Sequence, residues 1–177
     1  MRLLFEMDRK DYEACTHSFT RNSARSIIIR DNRIGMVHSR KYDYYKFPGG
    51  GIEAGEKPVE AMVRETLEEA GLVVIPASVR EYGYVHRIQK SDGDETECFI
   101  QDNFYFLCEA EASPAPQKLD EYEEQEAYTL EFVEPNAAIR RNRSVGESPY
   151  NPMMLEREAR EREARVLELL IAEGYFD

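Results

Sequence analysis

Three glutamates, Glu65, Glu68 and Glu69, stand at i, i+3 and i+4 in the run RETLEEAGL. On a helix this spacing brings their side chains to one side. Like charges so placed repel, and hard divalent cations such as Mg²⁺ or Mn²⁺, which take oxygen ligands, would offset the repulsion. A solvated acidic face is the other reading, and spacing alone leaves both open.

The glutamates need a helix with defined ends. Pro58 suits a first turn, where its missing N–H is not needed, and Gly71 suits the position after the last. Val59, Met62, Val63, Thr66, Leu67 and Ala70 fall on the opposite side at helical spacing and predict a core-facing stripe. Ahead of the helix, Phe47-Pro48-Gly49-Gly50-Gly51 predicts a tight turn whose backbone can be approached closely.

Taken together, Gly50-x5-Glu56-x7-Arg64-Glu65-Thr66-Leu67-Glu68-Glu69-Ala70-Gly71-Leu72 resembles the Nudix box, G-x5-E-x7-R-E-U-x-E-E-x-G-U with U a bulky aliphatic residue. Thr66 at the first U is the one departure, and it touches packing rather than chemistry. Phe47-Pro48-Gly49 resembles the usual lead-in. The resemblance implies an α/β fold, a Nudix-like α/β/α sandwich with a mixed sheet, here with an added C-terminal helix. It implies divalent-metal-dependent hydrolysis of a phosphoanhydride in a nucleoside diphosphate linked to another moiety, with Mg²⁺ or Mn²⁺ as cofactor. By position, Glu65, Glu68, Glu69 and the carbonyl of Gly49 would be the metal ligands, with Glu68 sharing the metal or receiving a proton. Arg64 resembles the arginine that holds a glutamate by charge-assisted hydrogen bonds; its plainer role is an i,i+4 pair with Glu60 or Glu68. Glu56 either pins the glycine loop or serves as a carboxylate favoured at a helix N-terminus. Relatives often add one downstream glutamate as ligand or base. The segment before YTLEFV offers Glu121, Glu123, Glu124 and Glu126, and Glu126 is chosen from its distance to that strand. The expected catalytic set is therefore Arg64, Glu65, Glu68 and Glu126.

Domains resembling this family also act as sensors that bind nucleotide derivatives without cleaving them, and an isomerase shares the fold. Sensors usually carry a degraded box or an added DNA-binding domain, and here the box is whole. Subfamily signatures beyond the box, a proline for ADP-ribose or a tyrosine for dinucleoside polyphosphates, would fall near Arg87 to Lys90, and neither is present.

The chain has 177 residues, 42% of them hydrophobic, enough for one domain with a sizeable core. Residues 1–150 are expected to form the catalytic domain and 151–177 a helical extension packed on it or on a second copy in a homodimer. The net charge of −12 opposes general nucleic-acid binding and anionic membranes, but suits a small nucleotide-type substrate if cations bridge the two. No apolar run approaches 18 residues, and MRLLFEMDRK lacks a signal-peptide h-region. Cys15, Cys98 and Cys108, without close spacing, fit buried small hydrophobes in a reducing, cytoplasmic setting.

Strands are expected at Leu3–Met7, Arg25–Arg30, Ile34–His38, a short segment near Tyr44–Phe47, Val73–Ile75, Val79–Ile88, Thr96–Cys108 and Tyr128–Val133, with a turn at Asp31-Asn32. Residues 109–127 and 141–152 read as loops, and PNAAIRR as a helical turn. Met153 to Glu173 reads as a helix whose charged first half, LEREAREREAR, stays exposed and whose apolar second half is buried. Arg40, Lys41 and Lys46 are cations near the box, able to meet a phosphate or simply to be solvated. His86 either lines the site or is packed.

Overall fold

A computed structural model describes residues 1–144 and 157–177. Its strands are β1 (Leu3–Asp8), β2 (His17–Thr20), β3 (Ser23–Ile27), β4 (Ile29–Arg30), β5 (Arg33–Ser39), β6 (Tyr44–Lys46), β7 (Gly49–Gly51), β8 (Arg80–Lys90), β9 (Glu97–Leu107) and β10 (Tyr128–Val133). Its helices are α1 (Pro58–Ala70), α2 (Glu121–Glu126), α3 (Pro135–Ser144) and α4 (Arg157–Ala172).

One sheet runs β1-β8-β9-β3-β7, with β2 also on β9; the other runs β10-β5-β4, with β6 on β5. The first is mixed: β1 lies parallel to β8 and β3 parallel to β9, while β7 is antiparallel to β3. Two apolar layers flank the sheets. Ala61, Met62 and Ala70 of α1 pack with Ala24, Ile28, Val37 and Phe106. Ala138 and Ile139 of α3 and Ala164, Val166, Leu167 and Leu170 of α4 pack with Ile27, Met36, Phe47, Val85 and Tyr105. The result is an α/β/α sandwich.

Local sequence explains the elements that carry the box. Pro58 opens α1, and Gly71 ends it in the left-handed region at φ 65°, its N–H donating to the Leu67 carbonyl. A β-carbon at Gly71 would collide with the Ala115 carbonyl oxygen, so the stop requires glycine. Asp31 and Asn32 both have positive φ, which fits the right-handed twist of the β4–β5 hairpin.

Four expectations change. Val73–Ile75 forms only an isolated bridge, Val74 to Ala110, because Pro76 ends any run. Residues 109–127 contain α2, whose Glu123 and Glu126 are buried. An acidic segment without apolar period reads as loop, but here hydroxyl and amide donors satisfy the inward carboxylates. The turn at PNAAIRR extends through Ser144, where the Asn142 amide exchanges two 2.8 Å hydrogen bonds with the Tyr45 backbone. The remainder of the expected 141–152 loop and residues 153–156 of the expected last helix lie outside the described residues.

The fourth change concerns α4. Its apolar half faces the domain's own core, but Arg160, Arg162 and Glu163 in the charged half are also buried. Burial of charge is tolerable only with partners, and Arg162 supplies two hydrogen bonds to Glu163, at 3.0 and 2.7 Å. Leu167 is completely buried in this layer. Leu167→Ala should cost about 2–5 kcal/mol, read as a shift in the urea midpoint without a change in slope.

Candidate active site

The site is built where α1 crosses the glycine turn. Gly49 has φ 142°, and a β-carbon there would strike the Ala24 carbonyl oxygen. A β-carbon at Gly50 would enter the carboxylate of Glu65. Two adjacent positions without side chains thus let a carboxylate lie directly on the backbone.

The box glutamates differ in depth. Glu69 is fully buried; its Oε1 accepts from Lys46 Nζ and its Oε2 accepts from the Gly49 N–H at 2.9 Å. Burial pushes its carboxyl up to about 7, against the pull of Lys46 and the Gly49 amide, and the charge of Glu123 pushes the same way. Glu65 is partly buried, and desolvation raises it although Arg64 opposes. Glu68 reaches toward solvent.

Arg64 binds the open side together. Its Nε and Nη2 hold Glu56 through two 2.9 Å bonds. Its Nη1 donates to Glu65 at 2.7 Å and Glu68 at 3.1 Å, and Nη2 also reaches the Gly51 carbonyl at 3.1 Å. Glu56 in turn accepts from the Glu53 N–H, so it does tie the loop to the helix, and the Arg64 hydrogen bonds hold its carboxyl below the ordinary range. The i,i+4 pair of Arg64 with Glu68 coexists with this clamp.

Four carboxylates, Glu56, Glu65, Glu68 and Glu69, therefore share two cations, Arg64 and Lys46. The surplus is negative and every donor is oxygen, which is the chemistry of Mg²⁺ and Mn²⁺ sites. As they stand, the carboxylates turn to Arg64 and Lys46, and among the described residues no three acidic, histidine or cysteine side chains gather on one point. The donor set fits a hard divalent ion. The Gly49 carbonyl accepts from Arg25 Nη1 at 3.3 Å and, like any carbonyl, keeps a second lone pair.

α2 closes the buried end. Glu126 accepts from Ser39 Oγ and Tyr44 Oη, each at 2.9 Å, and Tyr44 meets Tyr128 at 3.0 Å. Glu123 accepts from Tyr122 Oη at 2.9 Å and from the Asp120 N–H at 2.8 Å. A separate cavity of about 400 Å³ between the N-terminus and Tyr175 shares no residue with this site.

A family profile described as NUDIX domain matches residues 20–152. The chain belongs to the Nudix hydrolase family. Its members' reaction class is hydrolysis of phosphorus-containing acid anhydrides. Among curated Nudix relatives, an RNA pyrophosphohydrolase of Francisella tularensis subsp. mediasiatica is 31% identical over 120 residues, covering 64% of this chain and 72% of that one. A Nudix hydrolase structure from Nitrosomonas europaea superposes with a TM-score of 0.55 at 16% identity, over 83% of this chain and 91% of that one. A structure from work on MutT of Aliivibrio salmonicida and Vibrio cholerae gives 0.53 at 19% identity, over 88% and 99%. These structural likenesses speak for the fold.

Of the Nudix box residues, Glu69 meets the Gly49 N–H, Glu65 lies against Gly50, and Arg64 links Glu65 to Glu68, while Glu126 is buried on α2. His86 pairs with Asp102 at 2.7 Å on β8 and β9. Lys46, read as a cation near the box, is the buried partner of Glu69 instead. The alternation of Tyr44 and Lys46 about Tyr45 was the available signal, since it places Lys46 on the inward face of β6. Lys46→Met should cost about 3–5 kcal/mol because it strands a buried carboxylate. The double change Lys46→Met with Glu69→Gln should recover most of that loss, and urea unfolding of the three proteins reads both steps.

Proposed function

We propose that this protein hydrolyses a phosphoanhydride bond in a small nucleotide derivative, a nucleoside diphosphate linked to another moiety, using Mg²⁺ or Mn²⁺. The observation that carries the reading is the uncompensated negative charge of the box carboxylates beside a backbone stripped of side chains. A diphosphate cannot approach such a surface without a cation between them. Glu65, Glu68, Glu69 and the Gly49 carbonyl are the residues that would hold the ion, which when bound neutralises phosphate charge and acidifies a water.

The chain's own residues then have separate tasks. Arg64 fixes Glu65 and Glu68 relative to the glycine turn through Glu56 and the Gly51 carbonyl. Glu69 locks the turn from below through the Gly49 N–H. Both buried glutamates of α2 already accept two hydrogen bonds, Glu126 from Ser39 and Tyr44 and Glu123 from Tyr122 and the Asp120 N–H. The proton-accepting role falls to a glutamate of α2, Glu126 as expected from sequence or its neighbour Glu123, and paired variants separate the two.

A curated relative is named for RNA, and a 5′-triphosphorylated RNA end carries the same bond type. The net charge of −12 favours a small nucleotide over a polyanion.

The test is appearance of the cleaved nucleotide products, separated by anion-exchange chromatography, from a panel of nucleoside triphosphates, nucleotide sugars and a 5′-triphosphorylated oligoribonucleotide, with Mg²⁺, with Mn²⁺ and with chelator. One small nucleotide should turn over only with metal. Glu65→Gln should lose about 100-fold or more, and whichever of Glu123→Gln and Glu126→Gln removes the proton acceptor about 10²–10⁴-fold, the other far less. A wild-type protein that splits nothing in the panel and binds no Mn²⁺ by calorimetry would sink the reading. Preferential attack on the oligoribonucleotide would redirect the substrate class to RNA ends.

A further inference from the structure

The buried charged half of α4 lies outside the segment matched by the Nudix profile, which stops at residue 152. It nevertheless touches the glycine turn directly. Glu163 Oε2 accepts from the Phe47 N–H at 2.8 Å. Its Oε1 accepts from Arg162 at 2.7 and 3.0 Å and from Tyr105 Oη at 3.4 Å, and lies 3.8 Å from Arg25 Nε. Arg25 in turn donates from Nη1 to the carbonyls of Phe47, at 3.1 Å, and Gly49, at 3.3 Å. Arg25, Arg162 and Glu163 are each at most 5% exposed. Burial alone would raise the Glu163 carboxyl, but the two guanidinium groups and the Phe47 amide hold it below the ordinary range.

The turn is thus gripped from both layers of the sandwich. Glu69 of α1 holds the N–H of Gly49. Glu163 of α4 holds the N–H of Phe47, and through Arg25 the carbonyls of Phe47 and Gly49. A single carboxylate on the last helix therefore bonds the turn at Phe47 and pairs, at 3.8 Å, with the arginine that donates to the Gly49 carbonyl. Partners at this remove orient ligands and commonly tune a metal site.

We infer that Glu163, acting through Arg25, is a positioning residue for the Gly49 carbonyl, and that α4 is a working part of the metal site rather than an appended support. This rests on the metal reading proposed above. Its consequence is that metal affinity depends on Glu163 more than on the stability α4 supplies.

The experiment is Mn²⁺ binding without substrate, followed by the electron paramagnetic resonance signal of free Mn²⁺, with thermal unfolding of every protein alongside. The variants are Glu163→Gln, Arg25→Lys and, as a helix-packing control, Leu167→Ala. Arg25→Lys leaves no buried charge unpaired, but one ammonium cannot replace a planar fork on two carbonyls and a carboxylate. It decides the matter if Glu163→Gln does not fold. Both site variants should bind Mn²⁺ about 10–100-fold more weakly, while Leu167→Ala melts earlier and keeps wild-type affinity. Wild-type affinity in a folded Glu163→Gln or Arg25→Lys protein overturns the assignment. So does an equal loss in Leu167→Ala, which would make the effect one of stability. A wild-type protein that binds no Mn²⁺ sinks the metal reading and this assignment with it.

Discussion

The glycine turn has no room for a β-carbon at Gly49 or Gly50, and the molecule is arranged around that lack of room. At Gly49 the obstacle is the backbone of Ala24 on β3; at Gly50 it is the carboxylate of Glu65 on α1. The turn is therefore pressed against the sheet on one side and against a charged helix on the other. Such closeness is useful only if the turn is held still, and every nearby polar contact serves that end. The Ser26 N–H donates to the Pro48 carbonyl at 2.9 Å, and the Ile52 N–H to Asn22 at 3.0 Å. These ladder bonds fix the ends, and buried carboxylates from opposite layers fix the middle.

Holding the turn this way concentrates negative charge, and the fold manages it by depth. Glu69, deepest, has a lysine to itself. Glu56, Glu65 and Glu68, further out, divide one arginine among them. The inner pair is expensive to desolvate, and its mutual attraction mainly offsets that cost. The outer set is left short of positive charge, where solvent and an incoming cation can reach it. The same helix thus carries glutamate at two depths, Glu69 fully buried against a lysine and Glu65 and Glu68 more open beside an arginine.

Much of this was readable in the sequence. The helix ends follow from Pro58 and Gly71, the hairpin from Asp31-Asn32, and β10 is found at Tyr128–Val133 as its β-branched and aromatic content predicts. The box residues meet because their spacing is helical and because glycine precedes them. What was not readable is burial of charge. Glu123, Glu126, Arg162 and Glu163 sit in segments whose composition argues for solvent, and only tertiary partners reverse that. Arg25 looked like the polar edge of a β-branched run, yet its partner is 138 positions away in sequence. Periodicity reports which faces are apolar; it carries no information about which ions will find each other across a core.

The placement of Glu163 also has a consequence for how the protein is made. Chains are synthesised from the N-terminus, and domains generally fold as units. The box, the glycine turn and the strands that frame them are complete long before α4 exists. Until Glu163 has left the ribosome, the Phe47 N–H lacks its acceptor and Arg25 lacks its counter-ion. The nascent chain can therefore hold all the box residues and still lack the finished turn. Phe47 and Glu163 stand 116 positions apart, so the turn gains this acceptor only when α4 folds back across the domain.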